Sequence, residues 1–139
     1  MTGGMTRVIL VMKRPGNVRV IADALASLGA ACVAAPDELA LEAALGGDLA
    51  PAAVLVDAAD FGPRIGTICD MLRSRKLPFI ALSPPNVSMQ ARRAFLGAAH
   101  HLHKPVGKRL LQELVQGLMQ PGSDHQQEWD AGRKGGVCG

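Results

Sequence analysis

Short apolar runs rich in branched residues alternate along the chain with longer segments whose apolar positions recur at helical spacing. Residues 7–12 (RVILVM) have the length and branching of a strand buried on both faces. Pro15-Gly16 interrupts the run, and Asn17 is placed to cap a helix. Val18, Ile21, Ala24, Leu25 and Leu28 then mark one face of that helix, which stops at Gly29. Residues 31–35 predict a second strand, and a helix opening at Pro36-Asp37 carries Leu39, Leu41 and Leu45 as far as Gly46-Gly47. Residues 53–56 (AVLV) form a third buried strand, terminated by Asp57. A loop with Asp60, Gly62 and Pro63 leads to a helix that turns Ile65, Ile68, Cys69 and Leu72 to one face. Residues 78–82 are the fourth strand, closed by Ser83-Pro84-Pro85, and a helix over about 87–96 ends at Gly97. Residues 100–103 make a short fifth strand before Lys104-Pro105. The last helix shows an amphipathic stripe of Leu110, Leu111, Leu114, Val115, Leu118 and Met119.

Five strands alternating with five helices through short, right-handed connections predict an α/β fold: a doubly wound parallel sheet with helices on both faces. The organised part spans residues 7–120, preceded by an N-terminus (1–6) expected to be disordered. After Gln120 the sequence PGSDHQQEWDAGRKGGVCG has no periodic apolar face, so 121–139 is expected to be a flexible tail.

Composition sharpens this picture in a few places. A chain of 139 residues suits one core, and 48% hydrophobic against 19% charged residues argues against global disorder. With three Phe, one Trp and no Tyr the core must be aliphatic, which counts against stacking platforms for single-stranded nucleic acid. The net charge of +3 is mild, and Arg73-Ser74-Arg75-Lys76 reads as a solvated helix end, so nucleic acid is not an expected partner. Cys32, Cys69 and Cys138 lack metal-ligand spacing; the first two read as small core residues. An odd cysteine count without a secretory leader points to the cytoplasm, and no apolar stretch approaches the length of a membrane span.

Asp57 at the end of strand three, Ser83 at the end of strand four and Lys104-Pro105 after strand five stand in an order and spacing that resemble the receiver domain of two-component response regulators. The most specific pieces are VLVD ending at Asp57 and GAAHHLHKPV ending at Val106. The resemblance implies a five-stranded sheet of flavodoxin-like order 2-1-3-4-5. In such proteins the strand-three aspartate accepts a phosphoryl group from a histidine kinase. Two acidic residues after strand one hold magnesium, and the strand-four hydroxyl and strand-five lysine contact the phosphoryl oxygens. A carboxylate attacking a dianionic phosphoryl group needs a cation and a lysine to neutralise the accumulating charge.

The sequence departs from that pattern at three positions. Counting back from Leu28-Gly29 puts Met12 and Lys13, with Arg14 next, where the acidic pair belongs. Magnesium requires hard oxygen ligands, which a thioether and an ammonium do not supply. Asp60 is a stray carboxylate that cannot rebuild the site alone. The backbone N–H after the strand-four hydroxyl, a phosphoryl donor in receivers, is lost at Pro84. The expected site is therefore a degenerate one of Asp57, Ser83 and Lys104, with no cofactor, no magnesium and no enzymatic activity. Two placements of Lys13 stay open: its ammonium occupies the metal position and pairs with Asp57, or it points to solvent.

Other groups carry weaker expectations. On a strand, His101 and His103 share one face and His100 takes the other, with no Cys or Glu nearby in sequence, so no metal site is expected. His101 matches the position at which receivers often carry a switch aromatic, although a partly exposed edge residue is the plainer reading. Arg92-Arg93 and Lys108-Arg109, ahead of Glu113, lie on the fourth- and fifth-helix face through which receivers commonly dimerise, which makes a homodimer there conceivable. Trp129 is an isolated tail aromatic.

The leading functional expectation is a signalling module that works by binding a protein partner without phosphotransfer. VILVMKRPGNV and LPFIALSPPNVSMQA also look like the pseudo-receiver of amidase-operon antitermination regulators (the AmiR/NasT type), which is controlled by a ligand-sensing protein. Neither the coiled coil nor the RNA-binding helices of those regulators are expected within these 139 residues, so only the mode of control is carried over. The alternatives are a working phosphoacceptor at Asp57 and a flavin-binding domain. The latter is disfavoured because KRPGN offers one Gly and no Ser or Thr for a phosphate.

Overall fold

A computed structural model describes residues 6–46, 50–86 and 89–119. The expectations for residues 1–5 and for the tail from Gln120 onward, including Trp129, lie outside the described residues. Five parallel strands, β1 (Thr6–Val11), β2 (Ala30–Ala34), β3 (Ala53–Asp57), β4 (Phe79–Ser83) and β5 (His100–His103), form one sheet of order β2-β1-β3-β4-β5. The helices are α1 (Pro15–Ala26), α2 (Glu38–Leu45), α3 (Ile65–Ser74), α4 (Met89–Ala94) and α5 (Lys108–Met119). This is the doubly wound α/β architecture that the alternation of patterns predicts.

Strand alternation divides the core in two. Ile9, Val11, Val54, Val56, Phe79 and Ala81 face one side, where Leu41 of α2, Ile65, Ile68, Cys69 and Leu72 of α3 and Ala94 of α4 cover them. Val8, Leu10, Leu55, Ile80 and Leu82 face the other side, covered by Leu25 of α1 and by Leu111 and Val115 of α5. β3 and β4 are buried along their whole length, so both read as unbroken apolar runs. The edge strands β2 and β5 are only partly covered.

Several local expectations need correction. β1 includes Thr6, one residue before the strand that the apolar run predicts. Asn17 is not a cap: α1 begins at Pro15 after Arg14, because proline suits the first turn, where its missing N–H costs nothing. Asp37, by contrast, caps α2 by accepting from the Ala40 N–H at 2.7 Å. Leu39 and Leu110 point outward, 77% and 46% exposed, since Leu41 and Leu111 take the inward positions of their helices. Cys69 is buried, whereas Cys32 sits half-covered on the edge strand. Arg73 is no idle surface cation. Its Nη1 donates to the carbonyl oxygens of Ala94 and Leu96, each at 2.7 Å, and so ties the end of α4 to α3. Gly97, at φ +92°, turns the chain there, and a Cβ on it would lie 3.0 Å from Arg73 Cδ.

Candidate functional site

The register brings the three marker residues to one end of the sheet. Asp57 closes β3 and Ser83 closes β4 on the neighbouring strand, while Lys104 comes immediately after β5. Open α/β sheets place their sites in this crevice, beyond the carboxyl ends of the strands. The Lys104-Pro105 peptide is cis, and the Lys104 N–H donates to the Ser83 carbonyl at 2.8 Å, which fixes the start of the segment that carries the ammonium.

Asp57 is 1% exposed, and its Oδ2 lies 2.7 Å from Lys104 Nζ. Its Oδ1 accepts the Ala59 N–H at 3.2 Å, which starts the short 3-10 turn Ala58–Asp60. A buried carboxylate requires such partners, because an uncompensated charge out of water costs several kcal/mol. Lys104, with 31% of its side chain exposed, supplies the compensation and keeps an opening to solvent.

The pairing of Lys13 with Asp57 does not occur. Among the described residues the ion pair of Asp57 is with Lys104 alone. The Lys13 backbone N–H is drawn 2.8 Å from Asp60 Oδ2, and its ammonium comes to rest over the Phe61 ring, 5.3 Å from the centroid. Asp60 thus has a structural task that the sequence hid. Its carboxylate, 4% exposed, also meets Arg14 Nε at 3.4 Å and pins the β1–α1 connection to the loop after β3.

These donors do not fit a magnesium ion. Met12, 1% exposed, contributes a buried thioether, and Lys13 turns away with a positive charge. Both Asp60 oxygens face N–H or guanidinium groups. One carboxylate, already bound to an ammonium, remains where the ion's hard-oxygen shell would be needed.

Ser83 is fully buried, and its Oγ shares a 2.7 Å hydrogen bond with His101 Nε2. His101 also packs on Phe95, with ring centroids 4.4 Å apart, and on His103 at 5.0 Å. Burial, with His103 and Arg92 nearby, lowers the His101 pKa and so favours the neutral ring. His101 is thus the partly exposed edge-strand residue expected of it, and its ring makes in addition a contact with the Ser83 hydroxyl that the expectation did not include. Only the position three before Lys104 hinted at this contact. Pro84 comes next after Ser83, at the exposed mouth, and offers no N–H. Arg92, Arg93, Lys108, Arg109 and Glu113 are all exposed.

No family model matches the chain, and no curated protein sequence matches it. Its fold is nevertheless shared with solved receiver structures. A response regulator from Thermotoga maritima is 19% identical, with a TM-score of 0.67 over 84% of this chain and 98% of that one. The receiver domain of a sensor histidine kinase from Pseudomonas aeruginosa, solved with a magnesium ion coordinated in its active site cleft, is 24% identical, with a TM-score of 0.69 over 84% and 98%. NtrX from Brucella abortus, in complex with ADP, is 21% identical, with a TM-score of 0.72 over 92% of this chain and 29% of that one. At these identities the likeness establishes the receiver fold. Among the described residues no helix is long and apolar enough to cross a membrane.

Proposed function

We propose that the chain is an atypical receiver that acts in signal transduction by binding a protein partner, independently of phosphorylation. The observation that carries this reading is the state of the carboxylate crevice. Asp57 is neutralised by Lys104, Met12 and Lys13 replace the metal acids, and Asp60 is bonded to the chain beside them. Phosphoryl transfer to Asp57 would lack both the cation that neutralises developing charge and one backbone donor. The Ser83 hydroxyl is held by His101. The fold then serves as a fixed surface, and control comes from the partner, in the manner of the antitermination pseudo-receivers that the sequence resembles. Such a role needs no cofactor and no catalytic activity of the chain's own.

The test is capture of binding proteins from the native cell with the wild-type chain and with Asp57→Ala. The same partners at the same yield, with and without phosphatase treatment of the extract, are expected. Loss of capture with Asp57→Ala, in a variant that keeps its helical circular dichroism, would overturn the proposal.

A further inference from the structure

The imidazoles of β5 form a constellation that the carboxylate crevice does not use. His101 and His103 lie two residues apart on the edge strand, on one face, with ring centroids 5.0 Å apart. The His103 ring is exposed and has no hydrogen-bond partner among the described residues. The His101 ring is oriented from behind by fully buried Ser83. A hydroxyl that takes one ring N–H fixes the tautomer and presents the other nitrogen, which is the arrangement that supports histidine ligands in metal sites.

We propose that His101 and His103 chelate one divalent transition ion of the zinc, nickel or copper class, with water completing the coordination. Imidazole nitrogens suit these ions and not magnesium, so the site is chemically separate from the Asp57 crevice. In the tautomer whose Nε2–H donates to Ser83 Oγ, Nδ1 of His101 would be the ligating atom. Arg92, whose charge reaches His101, opposes the bound cation. Occupancy at His101 would also hold the Ser83 hydroxyl away from Asp57, which links the ion to the crevice. The sequence pattern alone does not predict a site, because it shows two ligands and no third; the orienting contact with Ser83 is what the fold adds.

The experiment is calorimetric titration of the full chain with zinc chloride, on a background of Cys32→Ser, Cys138→Ser and His125→Gln that removes the competing ligands outside the pair. One equivalent should bind in the micromolar range. His103→Gln should weaken binding at least tenfold, and His100→Gln, on the opposite strand face, should leave it unchanged. Arg92→Ala should tighten it several-fold, and the Ser83 backbone amide should shift with zinc in nitrogen-15 spectra. Absence of saturable binding below millimolar zinc, or binding that His103→Gln leaves unaltered, would overturn the proposal.

Discussion

Replacing Lys104 by methionine isolates the interaction on which the crevice depends. Methionine keeps most of the aliphatic stem and removes the ammonium 2.7 Å from Asp57 Oδ2. Asp57, 1% exposed, would then keep only the Ala59 N–H at 3.2 Å. Removing one partner of a buried ion pair costs about 3–5 kcal/mol. Lys104 is 31% exposed, so water can reach the vacated position, and the loss belongs at the lower end, about 3 kcal/mol. With a urea slope of about 2 kcal/mol per molar, the unfolding midpoint should fall by about 1.5 M. Asp57→Asn keeps an acceptor for Ala59 and leaves an ammonium that can turn to solvent, so it should cost only about 1 kcal/mol. The double variant should recover about 2 kcal/mol of the Lys104→Met loss, which equilibrium urea unfolding of the four proteins would measure. If Lys104→Met cost less than about 1 kcal/mol, or no more than Asp57→Asn, the reasoning about a buried, compensated carboxylate would be wrong.

Other outcomes rest on the same contacts. Asp60→Ala should lower stability by about 1–2 kcal/mol and speed amide hydrogen exchange at Lys13, because it removes the acceptor of a loop N–H between two connections. Arg73→Ala should cost about 2 kcal/mol and raise exchange selectively in α4, whose last carbonyls lose their guanidinium donor. Phe79→Ala, at a fully buried position of β4, should cost about 3–5 kcal/mol by thermal or urea unfolding. His100 and His101 are both held below the ordinary imidazole value of 6.5 by burial. Above that value both rings are neutral folded or unfolded; as pH falls through it the unfolded chain takes up protons first. Stability should therefore decline between about pH 7 and pH 5, and His101→Gln should flatten part of that slope.

How much of this was legible in the sequence differs from feature to feature. β3 and β4 could be read directly, because a strand covered on both faces is an unbroken apolar run, and Asp57 and Ser83 mark where each run meets the crevice. α3 was equally plain, with Ile65, Ile68, Cys69 and Leu72 all inward. The outward turns of Leu39 and Leu110 were not, since apolar spacing alone does not say which of two neighbouring leucines faces the sheet. The departures at Met12, Lys13 and Pro84 were visible by counting. The contacts that replaced them were not: Lys13–Asp60 and Lys104–Asp57 each join residues 47 positions apart, and Ser83–His101 spans 18. No local pattern encodes those separations. They arise from parallel register, which aligns the carboxyl ends of strands distant in sequence. The placement of Lys13 shows the limit most clearly: of its two expected directions the exposed one holds, with the ammonium over Phe61, while the backbone bond to Asp60 was not foreseen.

The central claim is that the crevice around Asp57 neither holds magnesium nor accepts a phosphoryl group. Its most direct test is nitrogen-15 NMR of the full chain during addition of beryllofluoride with magnesium, an aspartyl-phosphate mimic. The expected result is that the amides of Asp57, Ala58, Ser83 and Lys104 stay where they are, with magnesium alone and with the mimic. Saturable shifts at Asp57 and Ser83, together with release of His101 from the Ser83 hydroxyl, would contradict the claim and establish a working phosphoacceptor.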